Sequence, residues 1–169
     1  MTRLRRTLLA LGVLVSLAGC SGDDGDDGDE GSADTGSTPA DPAADQAFRE
    51  WYADPDTVAL QEQVNRNKDE AESALRAQDL ASLSRATSAA ADGFDELATG
   101  GTPFSGQMAT IAQTAWSACS SAYRSFSAEA EEGDLQAMLQ LEPTLRACNT
   151  ELTHLLGAVR LYDATHDEG

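Results

Sequence analysis

Cys119 and Cys148 lie fourteen residues before and fifteen residues after Gly133, the point where Gly133-Asp134 joins a helix stop to a helix cap. In an antiparallel helical hairpin that turns at Gly133, the two cysteines come to one level. Both fall on apolar stripes at helical spacing. Met108, Ile111, Ala115, Cys119, Ala122 and Phe126 form the first, and Met138, Leu141, Leu145, Cys148, Leu152, Leu155 and Val159 the second. A disulfide needs Cα atoms about 4.4–6.8 Å apart, and Ala118, Ala122 and Ala147 allow so close an approach. The placement predicts a Cys119–Cys148 bond that contributes about 3–4 kcal/mol by restricting the unfolded chain. Two inert buried thiols, or a redox pair lacking the usual Cys-x-x-Cys, are the alternatives.

Similar punctuation divides the rest. Asp54-Pro55 suits a cap followed by proline in the first helical turn, and Asp79 can cap a second helix. Gly100-Gly101 reads as a stop and Thr102-Pro103 as a new start. The spacing predicts long helices over 55–77, 80–98, 103–131 and 135–161, with a short one over 43–52. Leu60, Val64, Ala71 and Ala74, then Leu80, Leu83, Ala90, Phe94 and Leu97, supply the first two buried faces. Pro143 interrupts the last helix, yet the stripe keeps its phase, which predicts one kinked helix. No β-branched alternation is present. The expected fold is all-α, an up-down antiparallel four-helix bundle. A shift of 55 residues superposes Asp79-Leu80 on Asp134-Leu135 and Glu96-Leu97 on Glu151-Leu152, a pattern that two duplicated hairpins or two ordinary amphipathic helices would share.

The front of the chain is of another kind. Arg3, Arg5 and Arg6 precede an apolar run from Leu8 to Ala18, which is shorter than the roughly 20 residues a spanning helix needs. The run closes on Leu17-Ala18-Gly19-Cys20. A basic start, an apolar stretch and small residues make a secretory leader, and the terminal cysteine resembles the lipobox of bacterial lipoproteins. That resemblance implies lipidation of the Cys20 thiol with palmitate-type chains and cleavage between Gly19 and Cys20 by lipoprotein-processing enzymes. It also implies a bacterial cell membrane anchor facing the extracytoplasmic side. Two or three acyl chains, each buried methylene contributing about 0.8 kcal/mol, hold more durably than one. Arg5-Arg6-Thr7-Leu8-Leu9 loosely resembles a twin-arginine signal, but Leu4 stands where that motif prefers a small polar residue, which favours the general secretory route.

Loss of Arg3, Arg5 and Arg6 with the leader would take the formal charge from −18 to −21. Such a surface repels nucleic acid, and no basic patch opposes that exclusion. Much of the acid lies in Ser21–Asp45, which reads SGDDGDDGDEGSADTGSTPADPAAD. With no basic and no large apolar residue, this composition predicts a disordered tether of roughly 28 Å. No register of Asp23–Glu30 meets the calcium-loop pattern, which needs a glutamate at its twelfth position. The expected division is residues 1–19 as leader, 20–45 as lipidated start and tether, and 46–169 as bundle domain.

Residues able to carry chemistry are few. His154 has Glu151 three positions before it, giving one Glu-x-x-His with no second copy, so no metal set and no cofactor are expected. Serine elbows and phosphate-cradling glycine loops are absent. Asn67 falls on a buried stripe, where it can set register or touch a ligand. Trp116 and Tyr123 share a face and serve either as core or as a patch for a partner. Two functions remain: a non-enzymatic module for an unknown envelope protein partner, or a small-ligand or metal-binding lipoprotein using the bundle interior around Asn67, Trp116 and His154. The many alanines on the stripes suggest little interior room and favour the first.

Overall fold

Residues 41–166 are described by the computed structural model, and all their regular structure is helical. Cys20, the leader and most of the acidic segment lie outside the described residues. Asp41 accepts hydrogen bonds from the Ala43 and Ala44 N–H groups at 3.1 and 3.3 Å and starts α1, Pro42–Tyr52. Asp54 accepts from the Asp56 N–H at 2.9 Å and starts α2, Pro55–Ala77. Gln78 ends α2 in the left-handed region at φ 59°. Asp79 then accepts from the Ser82 N–H at 3.0 Å and starts α3, Leu80–Gly101. After α4, Gln107–Glu132, Gly133 takes φ 74° and Asp134 caps α5, Leu135–Gln140. The last helix, α6, is Glu142–His166. Each aspartate supplies an acceptor to amide groups that the first helical turn leaves without partners.

The long helices α2, α3, α4 and α6 form an up-down four-helix bundle. Extensive packing joins α2 to α3, α3 to α4 and α4 to α6. Ala86, Ala90 and Ala91 on α3 and Ala112, Ala115 and Ala122 on α4 are all buried, the two helices pack extensively on each other, and small side chains let helix axes come close. Cys119 and Cys148 form the disulfide between α4 and α6, with Cα atoms 4.7 Å apart and both residues fully buried. A second core cluster, with Leu83, Phe126 and Met138, fills the end near Gly133. The opposite end is closed by α1, whose Phe48 is fully buried.

Four sequence-based boundaries are corrected. Asp45, placed above both at the end of the tether and in the short helix over 43–52, lies within α1 and is only 8% exposed. Its Oδ1 accepts the Met108 N–H at 3.0 Å, so the free end of α4 is capped by a side chain 63 residues away. Residues 103–106 accordingly form a loop rather than the first turn of α4. At Gly106, φ is +100°, and a Cβ there would lie 2.5 Å from the Asp45 carboxylate oxygen, so glycine alone suits the position. Gly100 and Gly101 do not stop α3; they are its last residues. A Cβ on Gly100 would sit 2.8 Å from the Trp51 ring, and one on Gly101 2.9 Å from the Trp116 ring. These glycines make room for two indoles.

The fourth correction concerns Pro143. The chain has two helices there, α5 and α6, rather than one kinked helix. Leu141 separates them, with its N–H donating to the Met138 carbonyl at 3.2 Å. Pro143 is the second residue of α6, where no intrahelical N–H bond is forfeited. The apolar phase survives because one intervening residue in a helix-like conformation barely turns the chain. It follows that the two hairpins differ: α3 is continuous from its Asp79 cap, whereas the segment after Asp134 is broken.

Candidate functional site: a cleft between α2 and α6

The first and last helices of the bundle flank a cleft of about 870 Å³ instead of packing tightly. That volume is within the range of about 300–1,000 Å³ common for small-molecule sites. The cleft is a groove open to solvent and not a chamber in the core, since Phe94, Leu97 and Trp116 beneath it are only 2–3% exposed. Alanines draw α3 and α4 together, as the stripes imply, but they do not close the ring of helices. Leu145 and Leu152 of α6 are left half-buried over the gap.

The floor of the cleft is apolar and aromatic, with Phe94 and Leu97 from α3 and Trp116 and Tyr123 from α4. Trp116 is 2% exposed and belongs to an aromatic group at the α1 end. Tyr52 stacks on it with ring centroids 6.3 Å apart, and Trp51 meets it edge-on at 5.9 Å. Phe104, carried by the loop before α4, lies 5.2 Å from Trp51 and 6.1 Å from Phe48. Gln61 donates to the Tyr52 carbonyl at 3.1 Å, which ties α2 to the end of α1. Arg49 and Asp163 add a two-bond ion pair at 2.7 and 2.9 Å between α1 and α6. The Arg49 guanidinium holds the Asp163 carboxyl below its ordinary range.

Polar groups border the floor. Tyr123 packs on Phe94 at 5.7 Å, and its hydroxyl has no protein hydrogen-bond partner among the described residues. Burial pushes its pKa up to about 12. From α2, Lys68 lines the cleft and is half-buried. Burial lowers its pKa, while the nearby Asp69 charge acts in the opposite direction. Arg146, on the facing helix, is held by Glu142, and Glu72 on the α2 side is held by Arg76. Asn149 and Thr153 complete the α6 rim.

The sequence-predicted residues divide. Trp116 and Tyr123 come together on the cleft floor. Asn67 does not line the cleft; its Nδ2 is buried with no hydrogen-bond partner. His154 is exposed on α6, its Nδ1 3.8 Å from Glu151, and also stays outside the cleft. The proposed grouping of Asn67, Trp116 and His154 is therefore corrected. Helical phase explains it: Asn67 follows the Val64–Ala71 stripe, whereas the cleft takes the flank carrying Asn65, Lys68 and Glu72. Among the described residues, no three His, Cys, Asp or Glu side chains are grouped to hold a metal, and no helix is long and apolar enough to cross a membrane.

Lys68, Asn149 and Thr153 are the residues that sequence reasoning missed. A signal for them exists. On α6, Leu145, Leu152 and Leu156 extend the apolar face past the Cys148–Leu155–Val159 line, making it wider than one neighbouring helix covers. No protein-family model, curated protein or solved structure matches this chain.

Proposed function

We propose that this protein is a membrane-anchored lipoprotein of the bacterial envelope whose bundle binds a small, largely apolar molecule in the cleft between α2 and α6. The observation that carries the binding reading is the cleft itself, in which half-buried Tyr123, Leu145 and Leu152 are bordered by a few polar groups. A protein-docking module needs a broad exposed patch, whereas the reachable apolar side chains here, Tyr123, Leu145 and Leu152, sit half-buried in a recess between helices. The geometry therefore favours ligand binding over the protein-interaction reading. Leu17-Ala18-Gly19-Cys20 and the basic leader support the anchor. No step of chemistry is assigned to the site, and the proposed role is binding without catalysis.

Two measurements test this reading. Cys20→Ser is expected to move the protein from the membrane fraction to the aqueous fraction of the expressing cell; retention at the membrane would remove the lipid anchor from the proposal. For the cleft, the full chain carrying Cys20→Ser is titrated with Nile red, an uncharged apolar dye. Thr153 is exposed on the rim, so Thr153→Trp adds bulk over the opening without disturbing the core. Dye affinity should fall at least tenfold with the helical circular dichroism unchanged. Equal affinity in the two proteins, or none in the parent, argues against the cleft.

A further inference from the structure

The half-buried charge in the cleft narrows the ligand chemistry. Lys68 follows Val64 by one helical turn on α2, so its aliphatic stem continues the apolar lining. No carboxylate among the described residues lies within the 4.0 Å of an ion pair with its ammonium. The other cation of the cleft is engaged, since the Arg146 fork is bound to Glu142. On the acidic side, Glu72 is paired with Arg76 and Asp69 is exposed to solvent. The side-chain amides of Asn65 and Asn149 and the Tyr123 hydroxyl have no protein partners among the described residues. The site thus combines one partly desolvated cation that has no ion pair with uncommitted hydrogen-bonding groups and half-buried apolar side chains at Tyr123, Leu145 and Leu152.

We propose that the cleft takes a single-headed carboxylate with a long apolar body, a fatty-acid type of molecule, with its head on Lys68 and its chain along the half-buried Tyr123, Leu145 and Leu152. This assignment rests on the cleft being a ligand site. One ammonium matches one carboxylate charge. A phosphomonoester head carries about −1.5 to −2 charge, more than one ammonium matches, and the arginine that lines the cleft is already held by Glu142. Burial of an unpaired ammonium disfavours the free protein. The lowered pKa of Lys68 is the same effect, and a bound carboxylate relieves it.

The test uses the full chain carrying Cys20→Ser. It is titrated with dodecanoate below its micelle concentration and with dodecan-1-ol, by calorimetry and tryptophan fluorescence, alone and with Lys68→Met or Lys68→Arg added. Dodecanoate should bind the parent, lose at least about tenfold in affinity with Lys68→Met, as expected for a lost charge-assisted bond, and stay within about threefold with Lys68→Arg. Dodecanol affinity should not respond to either substitution. Lys68→Met should also melt at a higher temperature, because it removes a partly desolvated charge, so its lost binding cannot come from unfolding. If Lys68→Met leaves dodecanoate affinity intact, or if dodecanoate fails while Nile red or dodecanol binds, the carboxylate assignment is overturned and the cleft stands. If none of the three probes binds, the cleft reading falls as well.

Discussion

Phe48→Ala is expected to remove about 3–5 kcal/mol of stability. This is a large fraction of the roughly 5–15 kcal/mol typical of a whole domain. Phe48 is fully buried and lies within ring contact of Trp51, Tyr52, Phe104 and Trp116, at centroid distances of 5.7, 5.8, 6.1 and 6.2 Å. Removing it opens a cavity among rings that cannot collapse, since the four are held by three segments: Trp51 and Tyr52 by α1, Phe104 by the loop before α4, and Trp116 by α4. Thermal unfolding should shift down by about 10–15 °C, and the near-ultraviolet circular dichroism of the two indoles should weaken. Phe48→Leu keeps part of the volume and should lose much less. A shift below about 3 °C for Phe48→Ala would show that α1 is not part of the cooperative unit. The substitution also reaches the cleft, because Tyr52, one turn further on, is part of its lining.

The second large effect is expected from the disulfide. Cys119 and Cys148 are separated by 29 residues, and releasing a loop of that length costs about 3–4 kcal/mol in the chain-entropy model. The double substitution Cys119→Ala and Cys148→Ala should therefore lower the melting temperature by about 10 °C or more. Reductant should produce a similar fall in the parent and none in the double variant. The consequence is sharper at the cleft than elsewhere. Helix α6 has only three buried residues, Cys148, Leu155 and Val159, and its one extensive helix neighbour is α4. The bond holds in place a helix that the open side of the bundle does not support. Nile red affinity should consequently fall in the double variant at temperatures where the circular dichroism is still that of the folded chain. Full dye affinity without the bond would show that packing on α4 alone positions α6.

Much of the architecture is local and was legible for that reason. Asp54, Asp79 and Asp134 cap helices through amide groups two or three residues further on, a reach that sequence spacing displays directly. The stripes of α2, α3 and α4 are buried where the spacing puts them, at Val64, Ala71, Phe94, Leu97, Ala115 and Phe126. The level placement of the cysteines about Gly133 is equally local, since it needs only a short turn and a constant rise per residue. Pro143 was misjudged because an apolar stripe keeps its phase across a one-residue break just as it does across a kink. Gly100 and Gly101 were misjudged because a glycine pair ends helices in general, whereas here it admits Trp51 and Trp116 from outside α3.

The features at the candidate site depend on long-range contacts. The cap of α4 comes from Asp45, on a helix that enters from the far end of the sequence, so neither residue announces the other. Trp116 and Tyr123 were recognisable as a pair by their shared helical face, but whether that face meets solvent, core or a cleft depends on the neighbouring helices. Lys68 reads as one more surface cation until α6 is set opposite it. Propensity, capping and periodicity are properties of a segment and its near neighbours, so the order of helices, their buried faces and the level of the cysteine pair follow from the amino-acid order. The cleft is a property of volumes added across four helices. Small residues close the α3–α4 contact, no matching set closes α2 against α6, and the gap that results exists only once all four are in place.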